Sequence, residues 1–582
     1  MKLRHLKVTH FRGIKTLDWF LEGDFLCLVG PGDACKSTIL DAIELVLSPR
    51  WNPIFDDIDF HEADTNQEIV IEATLGELPR KLLSDAKFGL RLRGFCAGEV
   101  CIHDEPQDGD EEVITVRLTV GASLEPAWHV VTERHPEGLV IRARERERFG
   151  VVRLGAVVDR HLTWSRGSAL SRLTGDSEEH AATLAEAARQ ARNSVDSSQL
   201  PKLTKASSNA AALSSKFGVK PNVGYEPRLD PSNAPMGTQS LGLHDGPVPL
   251  RRAGLGTRRL VTLAMQRSIE QQGGVVLIDE VENGLEPYRL RRLLSELLDP
   301  STAEQNEGDV AKADKDEAGG VVILTTHSPI TLGQLRAKHL RVVRTDAKGT
   351  RVMQPPPRSQ GHVILHAEAF LSRKVVVCEG RTELGLLLGL DEVWSKTMDP
   401  LATMGVALVD GSGATKVASV AMSFRNLEYE TAVLADSDAD ITMPECSLNG
   451  DETRKRLERA GVTVVQWDGK LATEQRLFRD LPWTSVVPLI ERAMDEGIPV
   501  RDQTATALKC STKTLGDPAS WPEFCEESKL REALGERAKK LGWFKNVRLG
   551  RFLGTVVAAN WNEIEGSDLA AKLGEIKTWA FR

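Results

Sequence analysis

Four carboxylates in the C-terminal half have the spacing needed to hold divalent cations. Val375-Val376-Val377-Cys378 reads as a short apolar strand closed by Glu379-Gly380, and Arg381-Thr382-Glu383 opens a helix. Glu379 and Glu383 then sit at a strand tip and on the first turn of the next helix, near enough to share a cation. A second apolar strand, Gly405 to Val409, and a helix after Gly413 lead to a third strand, TAVLADSDAD, which runs out through Asp436, Asp438 and Asp440. Parallel strands would bring Glu379, Glu383, Asp436 and Asp438 together at one edge of the sheet. Carboxylates so crowded repel one another, and hard divalent cations are the usual remedy. Two Mg²⁺ or Mn²⁺ ions there could activate a water and stabilise the leaving oxygen of a phosphodiester. An Asp-x-Asp pair alone is most often an idle acidic loop. Glu-Gly-x-Thr-Glu together with Asp-x-Asp in a β-α-β-α-β pattern is far more specific.

A second set of residues points to phosphate chemistry. In FLCLVGPGDACKSTILDAIELVLS, Phe25 to Ser48, an apolar strand meets a turn with Gly30 and Gly32, and Lys36-Ser37-Thr38 opens an amphipathic helix. This is the layout that cradles the phosphates of ATP. Two letters depart from it. Cys35 stands where glycine normally precedes the lysine, and Asp33 puts a carboxylate inside the loop. Cys35, beside Lys36 at a helix N-terminus, is also a candidate redox-sensitive thiolate. Further along, VVLIDE ends in Asp279, suited to hold Mg²⁺ through water, and Glu280, suited to polarise a water at the γ-phosphate. Gly254, Gly256 and Thr257 open a helix about twenty residues earlier, where backbone N–H groups can bind phosphate. His327 follows the apolar strand Val321 to Leu324 and could reach a γ-phosphate.

These sets must be carried by two α/β regions. The chain has 582 residues, 41% of them hydrophobic, enough for several cores. Residues 1 to about 160 read as strands around one early helix, and about 176 to 217 read as helical. Asp299 to Gly320 is polar and expected to be a mobile insertion. The expected plan is an ATPase domain over 1–350 with a helical insert at about 165–218, a Pro-rich linker at 351–361, and a second domain over 362–582 that ends in helices. No apolar stretch is long enough to span a membrane, and the N-terminus lacks the core of a signal peptide. The 8 cysteines form no C-x-x-C pair, so the chain reads as reduced and cytoplasmic. Cys96, Cys101 and His103 have a conceivable metal-site spacing but read as ordinary residues. A net charge of −9 argues against binding nucleic acid through bulk charge. Arg142, Arg144, Arg146 and Arg148 alternate like one solvated face of a strand.

In its order, the N-terminal set resembles the ABC-type ATPase heads of the SMC, RecF and OLD (overcoming lysogenisation defect) proteins, over about residues 1–345. The FRGI opening, Phe11 to Ile14, is similar to the start of such heads. The C-terminal carboxylates resemble those of a TOPRIM domain. Head and TOPRIM in one chain of this length look like an OLD-family endonuclease, of the kind found in the Gabija system. The resemblance implies Glu379 as acid/base residue and metal ligand, with Glu383, Asp436 and Asp438 as further ligands. Asp440 and Glu474 are additional candidates. A late catalytic lysine matches Lys545, with Lys539 and Lys540 competing. The resemblance further implies DNA as substrate, a role in anti-phage defence, and a homodimer or homotetramer with nucleotide between heads. The insert would be the dimerisation element. ATP would bind, hydrolyse slowly and gate the nuclease, and a UvrD-like helicase or other defence-system subunit is an allowed partner. A topoisomerase fits poorly, since none of the three tyrosines, Tyr225, Tyr288 and Tyr429, follows the acidic sites. The alternative from another class is an ATP-gated, RecF- or SMC-like DNA-binding or scaffolding protein with a non-catalytic TOPRIM domain.

Overall fold

The computed structural model describes all residues except 50–52, 79–87, 155–158, 165–167, 171–185, 188–189, 191–200, 217–224, 226–240, 271–273, 299–319 and 513–514. Most of the expected insert and of the polar insertion therefore lies outside the described residues. Within the insert, Pro201–Lys216 is a helix. The fold is mixed α/β, and it divides into two compact units. One comprises Met1–Cys27, Ser37–Thr326 and Ala347–Gly349, the other Leu28–Lys36, His327–Asp346 and Thr350–Arg582.

The first sheet is built from antiparallel strands. β1 (Lys2–Phe11), β2 (Ile14–Phe20), β4 (Ile69–Gly76), β5 (Arg93–Cys96), β6 (Cys101–His103) and β7 (Glu111–Val120) run in the order β2-β1-β4-β7-β5-β6. Here β3 is Phe25–Val29, which belongs to another sheet. β8 (Pro126–Val131) also pairs with β7, and β9 (Leu139–Val140) with β8. Arg142 to Arg148 is not a strand face. Ala143–Arg146 is a helical turn, and Arg146 is buried with its guanidinium 3.9 Å from the Trp128 ring centroid. Cation–π attraction and bonds to the Ser48 and Ile141 carbonyls explain why an arginine occupies that core position.

The second sheet has six strands. β3, β10 (Val152–Leu154), β11 (Val275–Ile278), β12 (Val321–Thr325), β13 (Leu340–Asp346) and β14 (Gly349–Met353) follow the order β10-β11-β12-β3-β13-β14. β3 is buried along its whole length, as a central strand must be. It feeds α1 (Lys36–Leu47). The Pro-rich stretch 351–361 is built into elements: Arg351 lies in β14, Pro357–Ser359 forms a 3₁₀ turn, and Gln360–Leu365 is helical.

The third sheet is all parallel. β15 (Lys374–Cys378), β16 (Val406–Asp410), β17 (Glu430–Ala435) and β18 (Thr463–Gln466) follow the order β16-β15-β17-β18. Cys378 is opposite both Asp410 and Leu434, so the C-terminal ends of β15, β16 and β17 are level. α2 (Arg381–Trp394) and, C-terminal to it in the chain, α3 (Thr473–Asp480), α4 (Glu527–Leu541), α5 (Val547–Ala559) and α6 (Asp568–Ala580) share one hydrophobic core with this sheet. Trp467, Trp521, Trp543, Phe478 and Phe544 are fully buried in their shared core.

Helices α2 and α5 approach unusually closely, and glycine makes this possible. Both carry G-x-x-x-G: Gly385 and Gly389 on α2, Gly550 and Gly554 on α5. A Cβ built on Gly389 would lie 2.0 Å from the Arg551 carbonyl oxygen, and one on Gly554 would lie 2.1 Å from that of Leu386. No side chain fits there.

Candidate active site and nucleotide loop

The level strand ends open into a cleft of about 390 Å³ lined by Glu379, Glu383, Asp436, Asp438 and Glu474, with Asp410, Arg381, Lys539 and Lys545 at its walls. Each carboxylate is held by a local bond. Glu379 Oε2 accepts the Asp436 backbone N–H at 3.0 Å, which couples the tips of β15 and β17. Glu383 Oε2 accepts from the Gly380 N–H at 2.9 Å, one half of a capping interaction at the start of α2. Asp436 Oδ1 accepts from the Thr473 N–H at 2.8 Å, the Thr473 hydroxyl at 2.7 Å and the Trp467 indole at 3.2 Å. Thr382 donates its hydroxyl to Glu474 at 3.5 Å and to the Phe544 carbonyl at 3.3 Å, which ties the loop carrying Lys545 to α2. Lys539 Nζ lies 2.7 Å from Asp438 Oδ2.

Six carboxylates face three cationic side chains in this cleft. The imbalance shows in the protonation of the group. Burial, then the Asp436 charge, pushes Glu379 from 4.5 up to about 7. Glu383 is raised by burial and then by Glu474, and Asp436 by burial and then by Glu383. Burial also raises Glu474, with Lys545 opposing it. Oxygen-rich, over-negative and lined by carboxylates from several elements, the cleft fits hard divalent cations.

The loop before α1 takes up its two unusual letters in left-handed backbone. Gly30 has φ +144°, and a Cβ on it would lie 2.6 Å from the Val343 carbonyl oxygen of β13, so glycine is required. Cys35 and Asp33 hold left-handed conformations at φ +63° and +59°. For residues other than glycine this costs about 1–2 kcal/mol each. The Cys35 thiol interacts with the Thr345 and Thr350 hydroxyls, and burial raises its pKa. It is therefore a neutral thiol, not the reactive thiolate its position suggested. Asp33 is exposed, and a side chain at Gly32 would meet nothing within 4 Å. Lys36, buried, donates Nζ to the carbonyls of Gly30 at 3.0 Å and Pro31 at 2.7 Å. Thr38 is half-buried in the first turn of α1.

At the tip of β11, Asp279 is bound on both oxygens. Oδ1 accepts from Ser37 at 2.9 Å and Thr325 at 2.7 Å, and Oδ2 accepts from Arg153 at 2.9 Å. The Glu280 N–H donates to Thr325 Oγ1 at 2.8 Å, and buried Arg259 donates to the carbonyls of Asp279 and Glu280 at 3.0 and 2.9 Å. Gly256 lies in the helix Leu255–Glu270, where a Cβ would lie 2.5 Å from the Gly284 carbonyl oxygen. Its glycine is thus required for packing on the Asn283-Gly284 turn. His327 is exposed just beyond β12.

Residues 153–333 match the family model for an AAA domain, putative AbiEii toxin of a type IV toxin–antitoxin system, and residues 370–438 match the overcoming lysogenization defect protein-like TOPRIM domain. A curated OLD nuclease from Thermus scotoductus is 25% identical over 562 residues, 89% of this chain and 96% of that protein. The chain thus joins an ATPase domain to an OLD-like TOPRIM domain. Solved structures similar to it include an SMC head bound to the C-winged helix domain of ScpA (13% identity, 61% of this chain, 97% of that one, TM-score 0.34). Another is the recombination mediator RecF (10% identity, 61% and 98%, TM-score 0.29).

The cleft gathers Glu379, Glu383, Asp436, Asp438, Glu474 and Lys545, but not Asp440, which is exposed beside Gly450 and does not line it. Lys539 lines the cleft together with Lys545, whereas Lys540 does not. Thr473, Trp467, Arg153 and Thr325 escaped the sequence reading. Arg153 lies 126 residues from Asp279, and no local pattern links the two.

The pH dependence of stability follows from the cleft. Between about pH 4.5 and 7 the folded chain keeps a proton on Glu379 that the unfolded chain has lost. The stability from that proton is fully present below the unfolded value and is lost as pH rises through about 7. For one group moved from 4.5 to about 7 the effect is on the order of 3 kcal/mol. A divalent cation held by these carboxylates would take the place of the missing protons. Mg²⁺ or Mn²⁺ is therefore expected to raise the melting temperature more at pH 8 than at pH 6, as read by thermal unfolding with and without metal. Equal shifts at both pH values would contradict this.

Proposed function

We propose that this OLD-type chain is a divalent-metal-dependent DNA endonuclease whose cleavage is regulated by nucleotide at the head. The observation that carries this reading is the convergence of Glu379, Glu383, Asp436, Asp438 and Glu474 in one cleft with Lys539 and Lys545 beside them. The similarity to the OLD nuclease of Thermus scotoductus supports it. Glu383, Asp436, Asp438 and Glu474 would hold the metal together with Glu379. When bound, the ions supply a polarised water and charge stabilisation at the phosphodiester. Glu379, fixed at the tip of β15 by the Asp436 N–H, would take a proton from a nucleophile and return it to a leaving oxygen. Lys545 and Lys539 bring positive charge to the phosphate as its own charge grows. Thr473 and Trp467 keep the Asp436 carboxylate from rotating.

The gating part of the proposal rests on β13 and β14. Thr345 donates to the Ala34 carbonyl of the nucleotide loop at 3.3 Å and bonds Thr350 at 3.0 Å. One residue away, Arg344 lies 3.7 Å from the Tyr429 ring centroid, and Arg351 grips Glu428 at 2.6 to 2.9 Å. Glu428 and Tyr429 lead directly into β17, which delivers Asp436. A change in loop conformation thus has a short physical route to the cleft. The test is plasmid nicking with Mg²⁺ or Mn²⁺, with and without ATP. Tight DNA binding with no cleavage under any metal would favour the scaffolding reading. A role in anti-phage defence, with or without a helicase partner, belongs to the same proposal.

Nucleotide binding itself has a defined expectation. Lys36→Ala removes a charge-assisted phosphate contact worth about 1.5–3 kcal/mol, so affinity should fall roughly 10- to 100-fold. Cys35→Gly relieves the left-handed strain and should bind at least as tightly as the parent. Titration of a labelled nucleotide reads both, and a parent without saturable binding at millimolar nucleotide would remove ATP from the proposal. An even-numbered oligomer is expected by light scattering, since the head would sandwich nucleotide between copies. Monomer alone at micromolar concentration, with and without nucleotide, would exclude that arrangement.

A further inference from the structure

The β5–β6 hairpin of the head, far in sequence from both sites, carries a cluster that neither site uses. In its antiparallel register Cys96 is opposite Cys101, Phe95 opposite Ile102 and Gly94 opposite His103. Alternation along β6 puts Cys101 and His103 on one face, and the cross-strand partner Cys96 shares it. Glu99 comes from the turn between the strands. The ligand atoms of Glu99, Cys101 and His103 all lie within 4.8 Å of one another.

The geometry is that of a prepared ligand set. Asp110 Oδ2 lies 2.7 Å from His103 Nδ1 and also accepts the Gln107 N–H at 3.0 Å. Its side chain is only 4% exposed. With Asp110 as acceptor the proton sits on Nδ1, which leaves the Nε2 lone pair directed at Cys101 Sγ, 3.5 Å away. A carboxylate that fixes the tautomer and turns the free nitrogen inward is the usual support of a metal-bound histidine. A tetrahedral zinc with bonds of about 2.3 Å to sulfur and about 2.0 Å to nitrogen separates those two ligand atoms by about 3.5 Å. Glu99 Oε2 is 4.0 Å from the same sulfur. Gly94 completes the arrangement, because a Cβ there would lie 2.2 Å from the Asp110 carboxylate and displace it.

We propose that Cys96, Cys101, His103 and Glu99 form a structural site for a zinc-class divalent cation, with Asp110 as the positioning residue for His103. Binding releases the two thiol protons and joins both strands of the hairpin with the turn between them. β6 is three residues long and lies at the end of the sheet order, where strand pairing alone holds it weakly. The cation would staple that edge.

Cobalt(II) is the probe, because a thiolate-to-cobalt charge-transfer band reports sulfur ligation and the acidic cleft offers oxygen ligands. Added to reduced, metal-stripped full-length protein, cobalt should give a band that saturates at one equivalent per chain and that zinc abolishes. The band should vanish in Cys101→Ser and persist in Asp436→Asn. Asp110→Asn should weaken cobalt binding about 10- to 100-fold. No band in the reduced parent, or an undiminished band in Cys101→Ser, overturns the proposal. Alkylation of the untreated parent gives a readout that needs no variant. Protection of Cys96 and Cys101 that a chelator relieves supports the site, whereas protection relieved only by a reductant identifies a disulfide and overturns it.

Discussion

Asp436→Ala and Glu379→Ala proteins are expected to cleave plasmid DNA at least about a thousandfold more slowly than the parent. The estimate takes several kcal/mol of metal-borne transition-state stabilisation at 1.36 kcal/mol per tenfold. The two variants should fail differently. Asp436 carries one oxygen bonded to Thr473 and Trp467, so its loss should weaken metal binding and strand those donors. Excess Mn²⁺ should then recover part of the rate. Glu379 is proposed to move a proton as well, so its loss should lower the maximal rate at saturating metal. Full activity in both variants, in preparations free of contaminating nuclease, would end the nuclease assignment for this cleft.

The largest effect on folding is expected from Gly389→Leu. The added side chain must enter where the Arg551 carbonyl oxygen is 2.0 Å from the first carbon, and the opposing α5 offers only Gly550 and Gly554. Backbone cannot yield as a flexible side chain does, so α2 and α5 must part. Overpacking of this kind costs about 3 kcal/mol or more. Glu383 rides on α2, and Lys545 precedes α5 by two residues, so the cleft should open as the helices separate. The matched control is Gly574→Ala in α6, where a Cβ meets nothing within 4 Å. That change should stabilise by about 0.5–1 kcal/mol through helix propensity. Thermal unfolding of the full chain reads both. A Gly389→Leu protein as stable as the parent would show that the helices can separate at little cost.

Much of the candidate site was legible before any fold was known, for a topological reason. In a parallel sheet the apolar runs VVVC and TAVLA are central strands, and whatever follows them emerges at the same edge. Glu379, Asp436 and Asp438 follow such runs, and Glu383 follows one helical turn later, so their meeting was a consequence of strand direction. The same logic placed Lys36 and Ser37 after β3 and Asp279 after β11. Family resemblance then joined the head to a TOPRIM domain, which the matched family models bear out.

What the tertiary structure decided are the partners brought from far along the chain. Nothing near Asp279 announces Arg153, and nothing near Asp436 announces Thr473 or Trp467, because register and helix docking choose them. Among the late lysines, the docking of α4 and α5 brings Lys539 and Lys545, but not Lys540, to the cleft. The two G-x-x-x-G stretches are ordinary in sequence and acquire meaning only when their faces meet. Cys35 looked like a defect of the loop. Its backbone takes the left-handed turn that glycine would take, and its thiol rests on Thr345 and Thr350. Local pattern determines which residues end a strand or open a helix. The packing of distant elements determines which side chains hold them there.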